Sequence, residues 1–157
     1  MKKVMLAADC SAHSKLAAEY LGRVAPHVPD CQVVLFSVTT GIPYSAPPTE
    51  TPFLDSSPGE VHGDEDHREE MKQVETFLSD IRTKFEERGL DRDQVTMLVK
   101  PLRQGIAQDI LTEALDCECD TIVVGRRGFS RVKEVLLGSV SNDLVHKATG
   151  LTVWVVG

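Results

Sequence analysis

The sequence predicts an α/β domain of three layers, in which an open, twisted, mostly parallel five-stranded sheet carries helices on both faces. Five short apolar runs rich in β-branched residues lack strict alternation, as strands covered on both faces should. Four amphipathic segments with helical spacing lie between them. A glycine-containing stretch, Val123-Val124-Gly125-Arg126-Arg127-Gly128, ends one of the runs, at the kind of edge where open parallel sheets hold ligands. Strand alternating with helix implies parallel pairing through crossover connections.

The first run, Val4 to Ala8, is followed by Asp9-Cys10-Ser11 and by a helix whose stripe is Ala17, Tyr20, Leu21, Val24 and Ala25. Asp9 and Ser11 are both suited to cap that helix. Val33 to Val38 forms the second strand. Residues 41 to 66 then hold five of the eight prolines, together with Gly, Ser, Thr and acids. That is too long for an ordinary connection and reads as a solvated insertion, with a ligand-covering lid as the rival reading. Met71, Val74, Leu78, Ile81 and Phe85 recur at helical spacing, with Gly89 as the stop. Val95 to Val99 is the third strand, and Ala107, Ile110, Leu111 and Ala114 mark the third helix. Thr121 to Val124 is the fourth strand. Val140, Leu144 and Ala148 mark the last helix, and Leu151 to Val156 the last strand.

With 157 residues, 41% hydrophobic and 26% charged, the chain fits one domain spanning 1 to 157. No apolar run approaches the roughly 20 residues needed to cross a bilayer, and the first run meets Asp9 after five apolar residues, which argues against a signal peptide and for no membrane association. Four irregularly spaced cysteines do not form a disulfide scaffold, so a reducing, cytoplasmic setting is expected. A net charge of −7 disfavours nucleic acid as a partner. Against that background Arg126, Arg127, Arg131 and Lys133 fall within nine residues that carry no acid. A small phosphorylated ligand suits them.

The chemistry concentrates in Gly125-x2-Gly128-x9-Gly138-Ser139. Glycines admit backbone N–H groups close to an anion, and a helix start supplies unpaired donors with a favourable dipole. Neither a GxxxxGK[ST] loop nor a GxGxxG turn is present. In a doubly wound sheet the crevice opens where the winding reverses, which would set Asp9 opposite Gly125. A carboxylate could then take ribose hydroxyls while amides take phosphates. The bland alternatives are that the glycines shape a turn, that Ser139 is an N-cap, and that the basic residues form a solvated face.

This spacing resembles the G-2x-G-9x-G-[ST] signature of the ATP-binding branch of the universal stress protein family. The opening VMLAADCSAHS and the ending SNDLVHKATGLTVWVVG are similar to that family's ends. The resemblance implies a Rossmann-like fold that binds ATP, or ADP or AMP, with Mg²⁺ arriving on the nucleotide. It implies Ala7 and Asp9 at the adenosine end, Asp9 toward the ribose, and Val38 meeting adenine through its backbone. Val124 and Gly125 would border sugar and phosphates, and Gly128, Gly138, Ser139, Val140 and Ser141 would surround the phosphate chain. It implies a homodimer through Leu151 to Val156, and a nucleotide-responsive regulator of an unnamed protein partner, with at most slow hydrolysis or autophosphorylation.

No catalytic elbow, HExxH helix or kinase-type loop appears. His13 could approach the phosphates, but its bland reading is an exposed polar residue. No side-chain metal site is expected, since Cys117-Glu118-Cys119 lacks a second ligand pair and His62 and His67 are isolated. Two further functions stand beside nucleotide binding. One is a thiol redox sensor, because Cys10 precedes a helix whose dipole can lower a thiol pKa; its bland and favoured reading is a small, inert, half-buried residue at the strand end. The other is a non-catalytic dimeric interaction module built on the last strand, whose apolar edge invites pairing.

Overall fold

A computed structural model describes residues 1–41, 64–128 and 137–157. The strands are β1 (Lys3–Ala7), β2 (Gln32–Thr39), β3 (Val95–Pro101), β4 (Thr121–Gly125) and β5 (Thr152–Val156). The helices are α1 (Ala12–Val24), α2 (Asp64–Glu87), α3 (Ile106–Asp116) and α4 (Ser139–Lys147). All five strands pair in parallel, in the order β3-β2-β1-β4-β5. The expected fold class is therefore the observed one.

Alternate residues of the sheet feed two cores. Val4, Leu6, Val33, Leu35 and Val123 pack with Ala17 and Leu21 of α1 and with Val74, Leu78, Ile81 and Phe85 of α2. Met5, Ala7, Val34, Phe36, Ile122 and Val124 pack with Ile110, Leu111 and Ala114 of α3 and with Leu144 of α4. Covering both faces of the inner strands explains their unalternating apolar sequence. The outer strands β3 and β5 are only half-buried along most of their length.

Three expectations about the elements change. Tyr20 is 38% exposed rather than in the α1 core stripe, and its ring meets that of Trp154 edge-on at 5.7 Å. The α2 stripe begins at Glu70, which is fully buried, while Met71 is only half-buried. Asp64, Glu65 and Asp66 belong to α2 rather than to the insertion. The lid reading of the insertion falls on residues 42–63, outside the described residues.

Helix α2 ends as its sequence indicates. Gly89 has φ +101°, its N–H donates to Glu86 O at 3.0 Å, and Leu90 N–H returns to Phe85 O at 3.1 Å. This double closure is the Schellman motif, which favours glycine at the left-handed position. Helix α3 ends the same way with Glu118 at φ +55°. Glu118 N–H bonds to Leu115 O and Cys119 N–H to Ala114 O.

Candidate functional site

The winding reverses at β1: the chain proceeds to β2 and β3 on one side, then crosses to β4 and β5 on the other. The carboxyl ends of β1 and β4, where the connections part in opposite directions, are the place at which a doubly wound sheet forms its ligand crevice. Ala7 and Val124 are partners across that junction and are both buried, so they form its floor.

Asp9 stands on the wall. Its Oδ1 accepts from the Ser14 hydroxyl at 2.6 Å and from Ser11 N–H at 3.2 Å, while Asp9 N–H donates to Ser14 Oγ at 3.1 Å. Ser11, not Asp9, caps α1 by accepting from Ser14 N–H at 3.2 Å. One carboxylate oxygen is thus committed to the α1 turn. The other, Oδ2, faces Gly128: a methyl added there would lie 2.7 Å from it. Ser14 is 3% exposed and orients this carboxylate, a role that only its place in the first helical turn after the Asp-x-Ser turn could have signalled.

None of Gly125, Gly128 and Gly138 occupies the left-handed region. Their small size serves close approach instead. A Cβ at Gly125 would stand 2.6 Å from the backbone carbon of His13, so α1 packs directly on the end of β4. A Cβ at Gly138 would stand 3.2 Å from Arg127 Cα, and Gly138 N–H donates to Arg126 O at 2.9 Å. Through these contacts the α1 turn, the end of β4 and the start of α4 form one wall.

Helix α4 contributes its open end. Gly138, not Ser139, is its N-cap residue, and Asn142 N–H to Gly138 O closes the first turn at 2.9 Å. The N–H groups of Ser139, Val140 and Ser141 precede the first intrahelical donor, so the helix itself does not occupy them. Ser139 is exposed and Val140 packs partly against the second core. The Ser141 hydroxyl, 2% exposed, donates to Arg126 O at 2.8 Å and approaches Gly138 O at 3.1 Å. It fastens the end of β4 to α4. Arg126 is half-buried, and Arg126 N–H donates to Val156 O, which ties the same loop to β5. Arg131 and Lys133 lie outside the described residues.

Val38 sits farther along, at the end of β2. Even-numbered residues of β2 turn their backbone groups toward β1: Gln32 N–H donates to Lys2 O, and Phe36 O accepts from Ala8 N–H at 2.9 Å. Beyond Ala8 the chain turns into α1, so no β1 residue stands opposite Val38. Its N–H and C=O point into the crevice by the alternation of a strand. On the far side Thr39 O accepts from Leu102 N–H at 2.8 Å.

The inert reading of Cys10 is favoured over the thiolate one. Burial first, then the neighbouring Asp9 carboxylate, push its thiol up to about 11; Lys15 opposes them and Glu70 adds to them. A thiol held there is protonated at neutral pH. Among the described residues no group of three or more His, Cys, Asp or Glu side chains is placed to hold a metal, and no helix is long and apolar enough to cross a membrane.

A parallel sheet whose winding reverses at β1, with helices on both faces and closely packed glycines at its switch point, defines a doubly wound α/β protein. The chain belongs to the universal stress protein family, whose model matches residues 1–157. It is 31% identical over 147 residues to the universal stress protein YxiE of Bacillus subtilis, covering 90% of this chain and 87% of that protein. Its fold is similar to that of UspA from Lactobacillus plantarum, with a TM-score of 0.74, 18% identity and coverage of 99% and 97% of the two chains. It is similar also to the universal stress protein from Archaeoglobus fulgidus in complex with dAMP, with a TM-score of 0.64, 15% identity and coverage of 100% and 98%.

Proposed function

We propose that this universal stress protein binds an adenine nucleotide, ATP or its ADP and AMP relatives, in the crevice at the ends of β1, β2 and β4, and acts as a nucleotide-responsive regulator. The carrying observation is the placement of Asp9 Oδ2 against Gly128, with the open first turn of α4 joined to the same wall through Gly138. A carboxylate oxygen free of the α1 turn suits ribose hydroxyls. The N–H groups of Ser139, Val140 and Ser141 suit phosphates. Val38 offers a backbone donor and acceptor to the adenine edge, while Ala7, Val124 and Gly125 bound the space below. The dAMP-bound relative supports the same ligand class. Mg²⁺ would enter with the phosphates, and any hydrolysis or autophosphorylation would be slow.

Dimerisation is part of this reading. β5 is an edge strand, and beside it a hollow of about 390 Å³ is lined by Tyr20, Trp154, Val155, Val156 and Gly157. Leu16, 46% exposed, extends the apolar surface along α1. A second copy pairing at β5 would cover it. Tyr20→Glu should then lower the sedimentation coefficient to that of a monomer; an unchanged coefficient would remove this interface.

The nucleotide reading is tested by equilibrium titration with ATP, ADP and AMP in the presence of Mg²⁺, comparing the unaltered protein with Gly128→Val. The valine would collide with Asp9 and fill the space the ligand needs. Saturable binding that is lost in the variant supports the reading. No binding by the folded unaltered protein would overturn it.

A further inference from the structure

Glu70 lies on the core-facing stripe of α2, four residues before Val74, and is 0% exposed. A carboxylate wholly removed from water is costly unless its oxygens are occupied. Here both are. Oε1 accepts from Thr40 N–H at 2.8 Å and from the Thr40 hydroxyl at 3.3 Å, and Oε2 accepts from Gly41 N–H at 2.6 Å. Gly41 has φ +84°, and the two successive N–H groups turn onto one anion. An apolar residue at position 70 would pack the core equally well but would strand both amides.

The location gives this clamp a purpose beyond packing. Thr40 lies two residues past Val38 at the tip of β2. Cys10 and Glu69 line one groove between α1 and α2, so the start of α2 stands near the turn between β1 and α1 as well. These are the two segments that border the base end of the crevice. On its Watson–Crick edge adenine presents the N1 acceptor beside the N6 amino donor, which complements a fixed backbone N–H and C=O; guanine presents there an N1–H donor beside the O6 acceptor.

We infer that Glu70 is a positioning residue for base recognition: it clamps the tip of β2 so that the Val38 N–H and C=O meet an adenine edge and disfavour a guanine edge. This rests on the nucleotide reading above. The remote phosphate wall, built from Gly128 and the start of α4, makes no use of the clamp, so base and phosphate affinities should separate.

Calorimetric titrations of the full chain with ATP, GTP and inorganic tripolyphosphate test this in the unaltered protein, Glu70→Gln and Glu70→Ala. Glutamine keeps the volume but sets an NH₂ group against a backbone N–H. ATP affinity should fall about tenfold, the preference for ATP over GTP should shrink, and tripolyphosphate affinity should stay unchanged. Unchanged ATP affinity and preference in Glu70→Gln would overturn the inference, and so would equal weakening of ATP and tripolyphosphate, which a merely structural role predicts. If either variant fails to fold, hydrogen exchange in the unaltered protein decides: ATP, but not tripolyphosphate, should slow exchange at Thr40 and Gly41, and no such difference would overturn the proposal. Failure of the unaltered protein to bind ATP would instead overturn the nucleotide reading, and this inference with it.

Discussion

Gly125 and Gly128 meet different obstacles, and substitutions there should fail in different ways. Alanine at 125 would drive its methyl into the backbone of α1 at His13, where neither element can yield; we expect about 1–3 kcal/mol of lost stability in urea unfolding. Alanine at 128 meets the end of one side chain, Asp9, so the fold should survive while nucleotide affinity drops. Equal stability losses would show that both glycines serve packing. Ser14→Ala belongs with Gly128, because it frees Asp9 from its orienting partner. Cys10 makes a chemical prediction: with its thiol pushed up to about 11, iodoacetamide should label it more slowly than glutathione at pH 8, and the rate should keep rising past pH 9. The sequence singled out Gly128 through the local Gly125-x2-Gly128 spacing, and Asp9 through its place just after the first strand. It hid Glu70, whose role arises only when separated segments fold together, and it passed over Ser14, which bonds Asp9 only five residues away; for Cys10 the inert reading it favoured agrees with a thiol pushed up by burial and by Asp9.

At the scale of elements, periodicity identified the five strands and four α-helices found among the described residues, with boundaries moving by a few residues at most where they could be compared. The α2 stripe shows why the rest resisted. Apolar spacing selected Met71, yet the buried position belongs to Glu70, an acid whose partners lie 30 and 29 residues earlier in the chain. Composition alone reads such a residue as solvent-facing. The two Schellman ends supply a second test. α2 places Gly89 at its left-handed position, whereas α3 places the exposed Glu118 there at φ +55°. Glu118→Gly should therefore stabilise the protein by about 0.5–1 kcal/mol, the relief of left-handed strain exceeding the added freedom of the unfolded chain. An unchanged denaturation midpoint would mean that Glu118 bears no such strain.

For the molecule as a whole, ligand and proton linkage give measurable signatures. A nucleotide present at a hundredfold excess over its Kd should add about 2.7 kcal/mol of stability, which a melting curve registers as an upward shift. Acid should act at the opposite end of the sheet, through Asp120. Burial opposes ionisation there, but the Thr121 hydroxyl and the Lys2 and Lys3 amides outweigh it and hold the carboxyl below its usual range. A depressed pKa contributes stability above the ordinary carboxylate value of about 4 and loses it as pH falls through the lower folded value. Asp120→Asn should flatten that part of the acid unfolding curve, modestly, because the side chain is 44% exposed. The strand order carries one more consequence, for the growing chain on a ribosome. β1 can pair with β2 as soon as both are made, but its other edge belongs to β4. At about 5–20 residues per second, the central strand waits several seconds with that edge bare until Gly125 is added. Chains arrested between Thr39 and Thr121 should consequently recruit chaperones or aggregate, and those arrested after β5 should not.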